Sequence, residues 1–238
     1  MILNKTDREG EVVKNLEQIF SSLRHELANS THALKITLTV LQDNYDRFDD
    51  IKRKHYVKRG LDILTRQENF IAAMKSYSDF DASENLETHF LQFWESFLTK
   101  VSGRVKGENI KLTRNNNMEP CRVLADESAL LKAMTNILDN AVEGLENQKS
   151  PEIELKTSRT NGHLLIQVRD NGTGISRENL EKIFIPFFTT KPGKMGMGLP
   201  IAHKLITKMN GEINVQRLPE GGTEVNVWIK TAENPKMD

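Results

Sequence analysis

Between residues 11 and 80 the apolar side chains recur at helical spacing. Leu16, Phe20, Leu23, Leu27, Ser30, Leu34, Thr37 and Leu41 alternate steps of four and three, a heptad seam with Ser30 and Thr37 as polar interruptions. At 1.5 Å per residue such a helix is roughly 50 Å long, too long to be stable alone. "NYDRFDD" reads as a turn, and a second helix follows from Ile51 to Tyr77 with Val57, Leu61, Leu64, Ile71 and Met74 on one side. A helical hairpin with one apolar stripe per arm calls for a second hairpin. The expected solution is a homodimeric four-helix bundle.

After "SDFDASEN" the pattern changes. "NLETHFLQFWESFLTKV" reads as helix, "NIKLTR" as strand and residues 126–148 as helix. "EIELKTSRTNGHLLIQVRD" alternates with period two on both sides of Asn161-Gly162, which predicts a hairpin. Ser176 stands where a short helix would be capped, and "GLPIAHKLITKMNG" predicts a helix ending at Gly211. "EINVQR" and "TEVNVWIK" flank the turn "LPEGG" as another hairpin. The expected fold class is α+β multidomain: an antiparallel helical hairpin, then an α/β sandwich with helices on one face of a mostly antiparallel sheet. Its boundaries read as a tail (1–10), hairpin (11–80), linker (81–88), second domain (89–232) and C-terminal tail (233–238).

Composition narrows the classes. The 33 basic residues balance the 33 acidic ones, giving no reason to expect nucleic acid or an anionic membrane as partner. Apolar runs such as "HLLIQV" and "IFIPFF" fall far short of the roughly 18 residues of a membrane span. The charged N-terminus is unlike a signal peptide, and the single Cys121 excludes an internal disulfide. A cytoplasmic protein is expected.

One stretch of the first helix carries candidate chemistry: "RHELANSTHALK". With Phe20 and Leu27 at heptad position a, His25 falls at f, pointing away from the seam. Asn29 lies one turn further on the same face, and Glu26 is adjacent. A lone surface histidine is ordinarily inert. A neutral imidazole whose ring N–H is held by a carboxylate is instead a nucleophile. His32 shares position f but has no carboxylate beside it.

Four stretches in the second half decide between these readings: "NILDNAVEG", "RDNGTGIS", "IFIPFFTTK" and "GKMGMGLPI". In this order and spacing they resemble the N, G1, F and G2 boxes of the Bergerat-type ATP-binding domain. With "HEL" upstream on a helical hairpin, residues 12–231 resemble the catalytic core of a two-component sensor histidine kinase.

The resemblance implies ATP and Mg²⁺ as cofactors. Asn140 matches the magnesium ligand, and an amide oxygen is a hard, neutral donor suited to that ion. Asn136 faces the phosphates. Asp170 matches the acceptor of the adenine amino group, while Gly172 and Gly174 let the backbone approach the base. Gly196, Gly198 and Leu199 belong to the phosphate-binding turn before a helix. "TTKPGKM" reads as a lid in which Lys191 steadies phosphate. Phe184, Phe187 and Phe188 pack as its hinge and anchor.

Hydrolases of this fold carry a glutamate base where Asn136 stands, and an amide cannot take a proton at neutral pH. The resemblance therefore implies a kinase: phosphoryl transfer from ATP to His25, oriented by Glu26, then to an aspartate of a response regulator receiver domain. The "E-x-x-N" spacing of Glu26 and Asn29 implies phosphatase activity as well. The alternative is a kinase-impaired dimeric scaffold or phosphatase.

The departures are Ser30 in place of a common proline, Ala28 for a basic residue, Lys194 for the first G2 glycine, and Glu143-Gly144 after the N box. The ten residues before the hairpin are too few for a sensor, so a signal-input domain or a partner protein is expected to lie elsewhere.

Overall fold

A computed structural model describes residues 5–83, 86–115, 120–191 and 194–232. The chain forms two compact units. One takes in the chain up to Asp79 together with Ile185–Met197, and the other holds Phe80–Phe184 and the chain from Gly198 onward. The expected C-terminal tail, 233–238, and residues 1–4 of the expected N-terminal tail lie outside the described residues.

In the first unit, helix α1 (Lys5–Asp43) and helix α2 (Asp50–Asp79) pair as an antiparallel hairpin. Helix α1 begins at Lys5, earlier than the residue 11 expected, and runs unbroken through Ser30. The turn is closed by side chains. Asn44 Nδ2 donates to Val40 O (3.0 Å), and Arg47 and Phe48 N–H donate to Asn44 O. Asp49 accepts from Lys52 N (2.8 Å), satisfying a backbone donor at the start of α2. Arg53 donates to Tyr45 O and lies over the Tyr45 ring, while Phe48 stacks on Tyr56.

The face α2 turns toward α1 differs from its apolar stripe. Gly60 is buried opposite Leu34 and Leu38, and Gln67 donates to Thr31 across the pair. On α1 the seam positions Leu23, Ser30, Leu34 and Leu41 are half-buried and Thr37 is buried, its hydroxyl bonded to Ala33 O. Seam residues Phe20 and Leu27 are exposed, and the side chain of Leu16 is outside the described set. Val57, Leu61, Leu64 and Ile71 of α2 are exposed as well. A row of aliphatic side chains thus remains uncovered within one chain.

The second unit is built on a five-stranded sheet of order β2-β4-β5-β7-β6. Its strands are β2 (Lys111–Asn115), β4 (Glu152–Thr160), β5 (His163–Asp170), β6 (Glu212–Arg217) and β7 (Thr223–Lys230). Only the β2–β4 pairing is parallel. Alternation sends Ile153, Leu155, Leu164, Ile166, Val168, Val225, Val227 and Ile229 to the buried face. Against that face pack α3 (Phe90–Gly107), α4 (Glu127–Gly144) and α6 (Gly198–Lys208). Phe90, Phe93, Trp94 and Phe97 of α3 stack into one buried aromatic cluster.

Three local expectations are corrected. Residues Glu87–His89, read as helix, form a strand, β1, paired with the unforeseen β3 (Arg122–Leu124). Ser176 precedes the short helix α5 (Arg177–Leu180), but its hydroxyl makes no capping bond. Helix α6 is closed by Asn210 at φ 55°, with Gly211 N–H bonded to Ile206 O and Asn210 N–H to Thr207 O, a Schellman arrangement. Gly211 is required for another reason: a Cβ there would lie 2.7 Å from Trp228 O.

A Cβ at Gly60 would lie 3.6 Å from Leu34 and 3.8 Å from Leu38, ordinary contact distances. Helix propensity therefore decides the sign. Gly60→Ala is expected to stabilise the chain by about 0.5–1 kcal/mol, read as a higher urea unfolding midpoint.

Candidate functional site

Helix α4 is the spine of the site. Asp126 caps it, accepting from Ser128 N (2.9 Å) and Ala129 N (3.1 Å); partial burial pushes its carboxyl up, but the Ser128 hydroxyl (2.7 Å) first and then the backbone N–H groups outweigh this and hold it below the usual carboxylate range. Ala129, Leu130, Ala133, Met134, Ile137, Leu138 and Ala141 are buried along the helix. Asn136, Asn140 and Gly144 share a face at steps of four, spanning about 12 Å of the axis. Asn136 Nδ2 is buried and has no hydrogen-bond partner among the described residues. An orphaned donor of this kind costs on the order of 1–3 kcal/mol unless something accepts from it. Beside it lies the first residue of α6: a Cβ on Gly198 would lie 3.8–3.9 Å from Asn136.

At the other end of the spine, backbone segments meet with no room for side chains. Asp170, at the end of β5, is only 5% exposed, and its Oδ1 accepts from Gly172 N (2.9 Å) and Thr223 N (3.3 Å). Thr173 N–H bonds Gly144 O. A Cβ on Gly172 would lie 2.3 Å from Gly144 O, and one on Gly222 2.0 Å from Asp170 O. Gly174 has φ 70° and abuts Gly222 O, its Cβ position 2.7 Å away. Gly144, noted in the sequence only as a departure, thus provides the surface on which the turn sits. Gly222, read as part of an ordinary hairpin turn, and Thr223, read as the start of a strand, were both missed as site residues. The available signal was a pair of glycines directly before the strand paired with Asp170, in register Asp170 to Thr223.

The remaining site residues are placed as follows. Leu199 is buried in the first turn of α6. Phe184 packs on His203 of α6 at 4.6 Å, and burial holds the His203 imidazole below its ordinary pKa. Phe187 belongs to the first unit: its ring lies 4.5 Å from Phe70 of α2, at a positive φ of 68°. Phe187 N–H bonds Gly196 O, and a Cβ on Gly196 (φ 65°) would lie 2.2 Å from Phe188 O. Lys191 is half-buried in the same segment, its N–H bonded to Thr189 Oγ1. Lys194 is exposed, and it is not among the residues with positive φ, so lysine there requires no glycine-like backbone.

His25, Glu26, Asn29 and His32 are exposed side chains of α1. His25, Asn29 and His32 share a face with Ile36, also exposed, turned away from the seam. The first unit thus carries a solvent-facing imidazole and carboxylate; the second, taken by itself, carries a buried acceptor, an orphaned donor and glycine-lined backbone.

Comparison with known proteins adds the following. Residues 125–233 match the family described as histidine kinase-, DNA gyrase B-, and HSP90-like ATPase. Sporulation kinase C of Bacillus subtilis is 26% identical over 215 residues, covering 88% of this chain. Sensor histidine kinase ZraS of Salmonella typhimurium is 32% identical over 132 residues, covering 56%. The chain spans 47% of the first relative's length and 28% of the second's. Among solved structures, histidine kinase ThkA in complex with the response regulator protein TrrA superposes with a TM-score of 0.62 at 21% identity, covering 98% of this chain and 68% of that one.

Gly172→Ala is expected to lower stability by about 1–3 kcal/mol, because its methyl meets the Gly144 carbonyl and neither backbone can retreat. Gly103→Ala in α3, with nothing within 4 Å of the added carbon, is the matched control. Urea titrations followed by tryptophan fluorescence read both.

Proposed function

We propose that this chain carries the catalytic core of a two-component sensor histidine kinase and transfers the γ-phosphoryl group of ATP to His25, a reading supported by the match of residues 125–233 and by the similarity to sporulation kinase C and ZraS. The observation that carries the proposal is Asn136. The amide has no basic site to activate water at neutral pH, and its orphaned Nδ2 is suited to donate to a phosphate oxygen. The chain therefore retains nucleotide until another nucleophile attacks. His25 is that nucleophile, displayed on a helix with Glu26 next to it.

In the proposed step a bare ring nitrogen of His25 attacks the γ-phosphorus. An N–P bond forms, the bond to the β,γ-bridging oxygen breaks, and ADP leaves. Glu26 accepts the proton from the other ring nitrogen, which leaves a neutral phosphoimidazole. Asp170, oriented through the two backbone N–H groups on its Oδ1, selects the purine. Gly172 and Gly174 admit the base, the start of α6 at Gly198 and Leu199 faces the phosphates, and Lys191 and Gly196 belong to the covering segment.

The donor set also fits a magnesium ion. Among the described residues no cluster of three histidine, cysteine or acidic groups could hold a metal. Asn140 supplies one neutral oxygen on the Asn136 face, suited to an ion that keeps waters and takes phosphate oxygens. Magnesium bound there would neutralise phosphate charge.

The uncovered rows Phe20–Leu27 and Val57–Leu61–Leu64–Ile71 support a homodimer in which two hairpins cover each other. A receiver domain of a response regulator is the proposed acceptor of the phosphoryl group, in line with the partner of ThkA. No helix of the described residues is long and apolar enough to cross a membrane, and we assign this core to the cytoplasm. A signal-input domain or partner protein is proposed to act on it. Asn29, one turn beyond His25, is assigned to positioning water in the reverse-direction activity, hydrolysis of the receiver's phosphoaspartate.

Incubation with γ-labelled ATP and Mg²⁺ is expected to give acid-labile, base-stable label on the chain, absent in His25→Gln and reduced about 100-fold or more in Asn140→Ala. Free phosphate released without label would identify a hydrolase and overturn the assignment. Unlabelled chain that still dephosphorylates a receiver would identify a kinase-impaired scaffold.

Asn29→Ala is expected to keep its label and to slow receiver dephosphorylation by about 10–100-fold. An unchanged rate removes Asn29 from that role.

A further inference from the structure

Helix α4 carries three acidic residues in three different settings. Glu127 stands in the first turn, about 20 Å along the axis from Asn140. Asp139 lies 3.8 Å from the Arg104 guanidinium of α3, which draws its charge toward that helix. The third, Glu143, is half-buried on the face that carries the two asparagines. At about 100° per residue it sits about 20° from the azimuth of Asn136, and about 60° and 4.5 Å of rise from Asn140. Side chains three apart are neighbours on a helix surface. They also lean toward the helix N-terminus, which for Glu143 is the direction of Asn140. The same face is marked for a ligand by the orphaned Asn136 Nδ2, with Gly198 of α6 beside it. On the other side of Glu143, a Cβ on Gly144 would lie 3.8 Å from Asp170 Oδ1. Glu143 therefore falls between the groups assigned to phosphate and those assigned to the base.

A carboxylate in that position repels a polyphosphate unless a cation lies between them. Magnesium is ordinarily held by one or two carboxylates together with phosphate oxygens and waters. Asn140 offers a single neutral oxygen, and among the described residues no group of three histidine, cysteine or acidic side chains could hold a metal. We propose that Glu143 is the anionic half of the magnesium site, its carboxylate accepting hydrogen bonds from the waters of an ion held by Asn140. The charge then works in two directions. With the ion bound, Glu143 attracts it and orients its waters. Without the ion, Glu143 faces bare phosphate and opposes binding. The site thereby selects metal-bound over metal-free nucleotide. Glu143 is a positioning residue for the ion and takes no proton in the transfer.

This assignment rests on the ATP reading above. Its test is calorimetric binding of a non-hydrolysable ATP analogue to the full chain, once with Mg²⁺ and once with EDTA. Glu143→Gln is expected to weaken binding with Mg²⁺ roughly tenfold, the loss that follows removal of a hydrogen-bond partner around a metal. In EDTA the same variant is expected to bind about two- to fivefold more tightly than wild type, because the repulsion is gone. The two Kd values converge. Mn²⁺ titrated into chain and analogue, followed by loss of the free-ion EPR signal, should bind Glu143→Gln roughly tenfold more weakly. Asp139→Asn removes a charge of the same sign that faces Arg104, and should keep the wild-type ratio of the two Kd values. The proposal is overturned if Glu143→Gln shifts both Kd values by one factor, as a folding defect would, or shifts neither. It is also overturned if Asp139→Asn narrows the ratio equally, since net charge rather than position would then be responsible. If wild type binds the analogue in neither buffer, the ATP reading fails and Glu143 with it. If wild type binds and Glu143→Gln keeps its ratio, the ATP reading stands and the Glu143 assignment alone falls.

Discussion

The second unit depends on a close approach of main chains around Asp170. Three segments, the end of α4 at Gly144, the turn Gly172–Gly174 and the pair Gly221–Gly222, lie so near one another that the missing side chains are the condition for their meeting. That proximity brings Gly172 and Thr223 N–H onto one carboxylate oxygen, so backbone donors hold a buried acid in place. A carboxylate fixed in this way is a rigid acceptor, with its orientation set before any ligand arrives. The same approach positions Gly144, and through the helical repeat Asn140 and Asn136, relative to Asp170. One packing constraint thereby sets the relative placement of the groups assigned to base, metal and phosphate.

The hairpin obeys a different logic. Its internal seam is mixed, with Gly60, Gln67 and Thr37 among the contacts, whereas its most aliphatic rows face outward. Leaving them exposed keeps apolar surface in water, and it is on this feature that the proposed homodimer rests. The imidazole of His25 sits on yet another face, so covering the aliphatic rows leaves it accessible. Ser30 keeps α1 continuous where a proline would have interrupted the backbone bonds.

Phe187 marks where the chain passes from the second unit to the first. Phe184 packs on α6, yet three residues later the ring of Phe187 lies against Phe70 of α2, with its backbone in the left-handed region. Such a conformation in a bulky residue costs on the order of 1–3 kcal/mol and persists because the aromatic contact and the Phe187–Gly196 bond hold it. The two unit boundaries that flank the segment, after Phe184 and after Met197, follow the same division.

Periodicity by itself determined the hairpin, the strand alternation and the amphipathic helices, because each depends on side chains repeating along one element. Motif order marked Asn136, Asn140, Asp170, Gly172 and Gly174 as candidates for the site. What only the tertiary structure decided were contacts between segments distant in the chain. Gly144 and Gly222 matter because of the carbonyls they approach, and nothing local distinguishes them from glycines of ordinary turns. Strand β1 was read as helix because three residues beside an aromatic-rich helix carry no pattern of their own, and the pairing with β3 decides them. The same holds for residues 80–83: their composition is that of a loose connection, and only folding brings Lys132, Lys208 and Asp126 to meet them.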